Sequence, residues 1–241
     1  MKNIKINELL KGTCIIALYY LLSTIYAIPF TFFLTENNTG IINLLFTLSL
    51  TITFCIIYHK TLINDFKDLK NNYKQNIKIG IKYWIRGIFI MYASSYLLSL
   101  FNIGITQNEE ANRTFLQSFP IIELVSAVIL APLIEELVFR RSLKNFTTNI
   151  YLYSITTGII FGFIHIVTSL SNPLSLLYII PYSAVGISLG FSYYKTNNIY
   201  TSMFIHSLHN FITIIALILV GGIIWKKKLE KINSKHYPTQ L

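Results

Sequence analysis

Charge is what this sequence has least of. Only 12% of its 241 residues are Asp, Glu, Lys or Arg, against 53% hydrophobic, where soluble domains carry roughly 25% charged residues. Mean hydropathy is +0.55, which excludes an ordinary water-soluble domain. Cysteine is scarce too. Cys14 and Cys55 both fall inside apolar runs, so neither a disulfide framework nor a thiolate zinc site is supported. The first apolar run is full length and lacks a small-residue cleavage site, and no cleavable signal peptide is expected. Acidic residues run out as well: after Glu136 only Glu230 remains. Chemistry in the second half that needs a carboxylate must therefore draw on the adjacent pair Glu135 and Glu136.

What is present is a series of apolar runs of about 20 residues, each long enough to cross a ~30 Å hydrocarbon core. The expected fold is an all-α polytopic membrane protein of about seven or eight transmembrane helices. Net charge is +10, but the cations sit in connecting loops and at the ends of apolar runs without interleaved aromatics. They read as lipid-headgroup and orientation signals; no nucleic-acid surface is expected.

The apolar segments are expected at residues 13–34, 40–58, 83–104, 119–139, 151–170, 174–194 and 199–225. Lys2, Lys5 and Lys11 precede the first, and the loop after it carries no positive charge, so the N-terminus is expected on the cytoplasmic side. Between segments two and three, Leu62, Ile63, Phe66, Leu69, Tyr73 and Ile77 recur at helical spacing among lysines, as in an amphipathic helix lying in the interface. Seven crossings would put the basic tail outside, against the same rule. Either residues 199–225 break into a crossing and a return, or one earlier run does not cross.

Ionisable residues inside apolar segments mark function by default, and here they form an ordered set. Glu135 and Glu136 point about 100° apart on a helix. Arg140 lies four residues beyond Glu136, where an ion pair on one face is expected, which leaves Glu135 to face something else. Pro132 should free the carbonyl of Val128 and bend the helix. His165 follows in segment five, and His206 and Asn210 share a face of segment seven. Gly158-x-x-x-Gly162 and Gly186-x-x-x-Gly190 predict close packing of segments five and six. His165 lies about fourteen residues into segment five, ~21 Å at helical rise, too deep to meet Glu135; a start nearer Thr156 would remove most of that mismatch.

Glu-Glu-x-x-x-Arg at residues 135–140, Phe-x-x-x-His at 161–165 and His-x-x-x-Asn at 206–210 resemble the three ordered motifs of the CPBP family. That family comprises type II CAAX prenyl proteases and the bacterial Abi proteins, which also occur as bacteriocin self-immunity proteins. The resemblance covers residues 119–225. It implies an intramembrane endopeptidase in which Glu135 with His165 activates water, His206 and Asn210 stabilise the oxyanion, and Glu136 with Arg140 holds the first helix in place. A domain division follows: transmembrane helices with a basic loop at 1–110, a protease domain with a four-helix core at 111–226, and a basic tail at 227–241. The setting would be a bacterial cell membrane and the partners the lipid bilayer and a membrane-associated peptide or protein. The resemblance suggests processing of a peptide pheromone or bacteriocin, or self-immunity.

Several rivals stand beside this reading. Glu135, His165 and His206 could hold zinc, with His209 or water as the fourth ligand, although the preferred mechanism requires no cofactor. Gly186-x-Ser188-x-Gly190 also reads as a serine nucleophile motif. A transporter should show an internal repeat, and none is found. A non-catalytic immunity or scaffold protein, acting by binding a membrane partner, is the alternative from a different class.

Overall fold

The structure, a computed structural model, describes the backbone of residues 4–35 and 38–236 and the side chains up to Val220. Helices α1 (Ile6–Thr31) and α2 (Thr39–Ile57) lead into α3 (His59–Leu100). A shorter α4 (Gln107–Ser118) follows, with Thr106 accepting a hydrogen bond from the Glu109 amide as its cap. Residues 120–141 then form one composite helix: α5 (Pro120–Val125), a π turn (Ser126–Leu130), α6 (Ala131–Glu135) and a second π turn (Glu136–Arg141). The chain closes with α7 (Ile150–Ile166), α8 (Ile179–Thr196) and α9 (Ile199–His236).

Five of these elements are long and apolar enough to cross a membrane: α1, α2, α7 with its 3-10 extension, α8 with its 3-10 lead, and α9. Large apolar side chains such as Ile28, Phe89, Ile121 and Phe163 are exposed on the outside, as a lipid-facing surface requires. The protein is a multi-pass membrane protein.

Packing follows the glycines and the aromatic residues. A Cβ at Gly158 would sit 2.3 Å from Ile187, and one at Gly186 would sit 2.9 Å from the Gly158 carbonyl oxygen. The α7 and α8 backbones therefore touch where the sequence places small residues. On the other side, α2 seats Leu50 and Phe54 against Ile134, Leu137, Val138 and Phe139 of the composite helix. Tyr19 of α1 bridges the rings of Phe54 and Phe139, each 5.9 Å away edge-on. The N-terminal helices thus brace the helix that carries the two glutamates.

Two expectations are corrected, and one alternative that the sequence leaves open is closed. The basic stretch at 60–82 is helical but does not lie apart in the interface, because it continues unbroken into segment three as the single helix α3. Part of its length packs on α9, where Phe66 meets Tyr200 and a Cβ at Gly80 would sit 2.6 Å from Ile205, while Ile63 and Tyr73 of the apolar stripe stay exposed. Residues 199–225 do not break into two passes, since α9 is continuous to His236. Residues 227–236, read as tail, prolong that helix, and 237–241 lie outside the described residues. Segment five starts at Ile150, not near Thr156, because the Asn149 side chain accepts from the Tyr151 and Leu152 amides and caps the helix there.

Candidate active site

The composite helix owes its form to Pro132. The Ala131 amide reaches back five residues to the Ser126 carbonyl. In that register the donor for Ala127 would come from residue 132, which has no N–H. Asn210 of α9 supplies it, donating from Nδ2 to the Ala127 oxygen at 2.7 Å. The orphan carbonyl is thus one residue earlier than the Val128 expected from α-helical spacing, because the turn is π. A neighbouring helix satisfies it, as the interior of a membrane demands.

Glu136 is fully buried and held from two sides. Arg140 Nη1 lies 3.1 Å away, in ion-pair range though not aligned as a hydrogen bond, and His206 Nδ1 lies 3.0 Å from the same carboxylate oxygen. The guanidinium stacks 4.2 Å from the centre of the Phe161 ring, and that ring also meets the His206 imidazole edge-on at 5.5 Å. The expected Glu136 to Arg140 pair is present. It has a further member the spacing did not show: Glu136 also orients His206. A carboxylate only accepts, so Nδ1 carries the proton, and Nε2 is the nitrogen left for other work.

Glu135 occupies a different environment. Its side chain is 21% exposed, its Oε2 has no hydrogen-bond partner, and that oxygen is 3.9 Å from His206 Nε2. Glu135, His165, His206, His209 and Asn210 all line one cavity of about 750 Å³. His165 donates from Nδ1 to the Phe161 carbonyl at 2.8 Å and stacks on Tyr182 with centroids 5.0 Å apart. Its Nε2 is therefore the acceptor. Tyr182 meets the Thr106 hydroxyl at 3.1 Å, which ties this wall to the start of α4.

The rival sites fare differently. Among the described residues no three His, Cys, Asp or Glu side chains converge as ligands of one metal ion, although Glu135, His165 and His206 line the same cavity. Ser188 is buried in mid-helix, donates to the Val185 carbonyl of its own turn, and packs where a Cβ on Gly87 would sit 2.7 Å away. That is a helix-packing serine, without the strand-to-helix elbow the motif requires.

The polar groups at the other end of the bundle hold helices together. Asp65 and Asp68 of α3 accept from the Ile199 amide at 2.8 Å and the Asn198 side chain at 2.9 Å, which fixes the start of α9. Burial pushes the Asp65 carboxyl above its ordinary value, against the lowering influence of the Ile199 amide and Arg141. Lys144 sits among Tyr153, Tyr193 and Tyr194, 4.1 Å from the last ring, and burial followed by Arg141 lowers its amine to about 8.

Residues 117–212 match the family model described as type II CAAX prenyl endopeptidase, Rce1-like. The chain is 28% identical over 156 residues to a Bacillus subtilis protein named "Putative membrane peptidase YdiL", covering 61% of this chain and 60% of that one. It is 29% identical over 180 residues to an uncharacterized protein of Mycoplasma capricolum, covering 68% of this chain and 52% of the other. The chain thus spans between half and two thirds of the length of the curated relatives it matches. No solved structure matches it. The Glu-Glu-x-x-x-Arg, Phe-x-x-x-His and His-x-x-x-Asn motifs gathered around one cavity all lie within residues 117–212, the stretch in which the chain is similar to the type II CAAX prenyl endopeptidase model.

Proposed function

We propose that the protein is an intramembrane endopeptidase that cuts a membrane-associated peptide or protein with a water activated by Glu135. The observation that carries this reading is the contrast within one residue pair: Glu136 is sealed from solvent with its Oε1 held by Arg140 and His206, whereas the Glu135 carboxylate makes no hydrogen bond to a described residue and is partly exposed to the cavity. Glu135 takes a proton from water as the oxygen attacks the peptide carbonyl carbon, and His165 assists through its free Nε2. The carbonyl oxygen becomes an oxyanion. His206, as imidazolium balanced by Glu136, donates to it from Nε2, and Asn210 supports the same side of the cavity. The proton held by Glu135 then passes to the leaving amine as the C–N bond breaks. No step runs through a metal.

The setting we favour is a bacterial cell membrane with the N-terminus on the cytoplasmic side, where the substrate would be a peptide pheromone or bacteriocin precursor. The test is expression of wild type and Glu135→Gln with such a precursor, followed by mass spectrometry of the fragments. Wild type should release defined fragments, and Glu135→Gln should cut at least about a hundredfold more slowly with an unchanged unfolding temperature. Equal cutting by the two would remove Glu135 as the base. Full protection against a bacteriocin by Glu135→Gln would replace the enzyme with an immunity protein that acts by binding.

A further inference from the structure

The cavity that holds Glu135 extends along the composite helix to a second carboxylate, Glu123, and then to the first turns of α4, where Glu109 and Arg113 line it. Glu123 is half-buried and its carboxylate makes no hydrogen bond or ion pair with any described residue, whereas Arg113 is held by Glu109 at 2.7 Å. Those two cancel, and Glu123 remains as the uncompensated charge of that end. Between the glutamates the cavity wall of this helix is made of small residues, Ser126, Ala127 and Ala131. They leave a trough with a carboxylate at each end.

The two glutamates share that face because of the first π turn. In a straight α-helix, residues twelve apart are rotated by about 1200°, which leaves them about 120° out of line. The π turn at Ser126–Leu130 takes in one extra residue and sets the register back by about 100°. The offset that remains is about 20°, so both side chains reach the same cavity.

We infer that Glu123 is a specificity-determining residue that binds a lysine or arginine side chain of the peptide. Resting on the peptidase reading above, this adds a substrate class to it. The two carboxylates are ~18 Å apart along the helix, which an extended peptide covers in about five residues. The cation therefore sits about five residues from the bond that is cut. A cationic side chain is the chemistry this position recognises, since a neutral one leaves the Glu123 carboxylate without a charge partner.

The probe is a set of fluorescent leucine–alanine peptides carrying one lysine walked position by position, each with a norleucine twin. Binding is measured on full-length Glu135→Gln protein in nanodiscs, where turnover is slowed at least about a hundredfold. Lysine peptides should bind about tenfold more tightly than their twins. Adding Glu123→Gln should abolish the difference, and Glu123→Lys should transfer the preference to a glutamate-bearing peptide. An unchanged lysine-to-norleucine ratio in Glu123→Gln overturns the inference. In the cleavage arm the Glu135 enzyme should cut about five residues from the lysine, with the cut moving as the lysine moves; cuts indifferent to its position also overturn it. A lysine preference that depends on Glu123, without cleavage of any peptide, would leave recognition standing and sink the peptidase reading instead.

Discussion

Two regions of the bundle spend their polar residues in opposite ways. At the basic end, Asp65, Asp68, Asn198, Arg141 and Lys144 each find a protein partner, and the helices are tied where they meet. In the cavity, the carboxylates of Glu123 and Glu135 make no hydrogen bond to any described residue. The boundary between the regimes runs between neighbours, since Glu136 has an oxygen held by Arg140 and His206 and the Glu135 carboxylate makes no hydrogen bond to a described residue. Inside a membrane an unpaired polar group is costly, so the partnered residues account for the architecture and the unpartnered ones are where the proposed chemistry is placed.

The comparison breaks most severely at Arg140. Arg140→Ala should destabilise the protein by about 3–5 kcal/mol, because it strands a fully buried Glu136 carboxylate. The double variant Arg140→Ala, Glu136→Gln should recover part of that loss in thermal unfolding in detergent. A single variant as stable as wild type would show that the pair does not hold the helix.

A middle-sized effect sharpens the contrast at Asn210, which lines the cavity yet is bound to the Ala127 carbonyl. Asn210→Ala should cost about 1–3 kcal/mol of stability through the carbonyl left without a donor, besides any loss of turnover. Loss of turnover with unchanged unfolding would move Asn210 wholly to the catalytic side.

The smallest expected effect is at Lys144. Its folded value of about 8 lies below the ordinary 10.5. The contribution is therefore fully present above about 10.5 and lost as pH falls through about 8. Wild type should gain stability over that window as pH rises, and Lys144→Met should show a flat profile there. A matching slope in both would assign the pH response to other groups.

Much of this was legible in the residues themselves. Apolar runs placed the helices within a few positions, the glycine pairs marked the α7–α8 contact, and the i, i+4 spacing paired Glu136 with Arg140. What escaped has one physical source. Spacing rules assume 3.6 residues per turn, and the composite helix departs from that on both sides of α6. With α-helical arithmetic Glu123 faces away from Glu135, and the orphan carbonyl falls on Val128. A Glu among Ile121, Ile122, Leu124 and Val125 was the available signal for Glu123. The continuity of α3 escaped for another reason: a lysine-rich amphipathic stretch reads alike whether it rests on lipid or on another helix.

That continuity makes α3 a ruler. At 42 residues it is ~63 Å long, about twice the thickness of a hydrocarbon core. One stiff rod carries both the Asp65 clamp on the start of α9 and the Gly87 seat for Ser188 on α8. The relative depths of those two helices are thereby gauged against a single object, so a bilayer that thins or thickens around the protein acts on both through one rod.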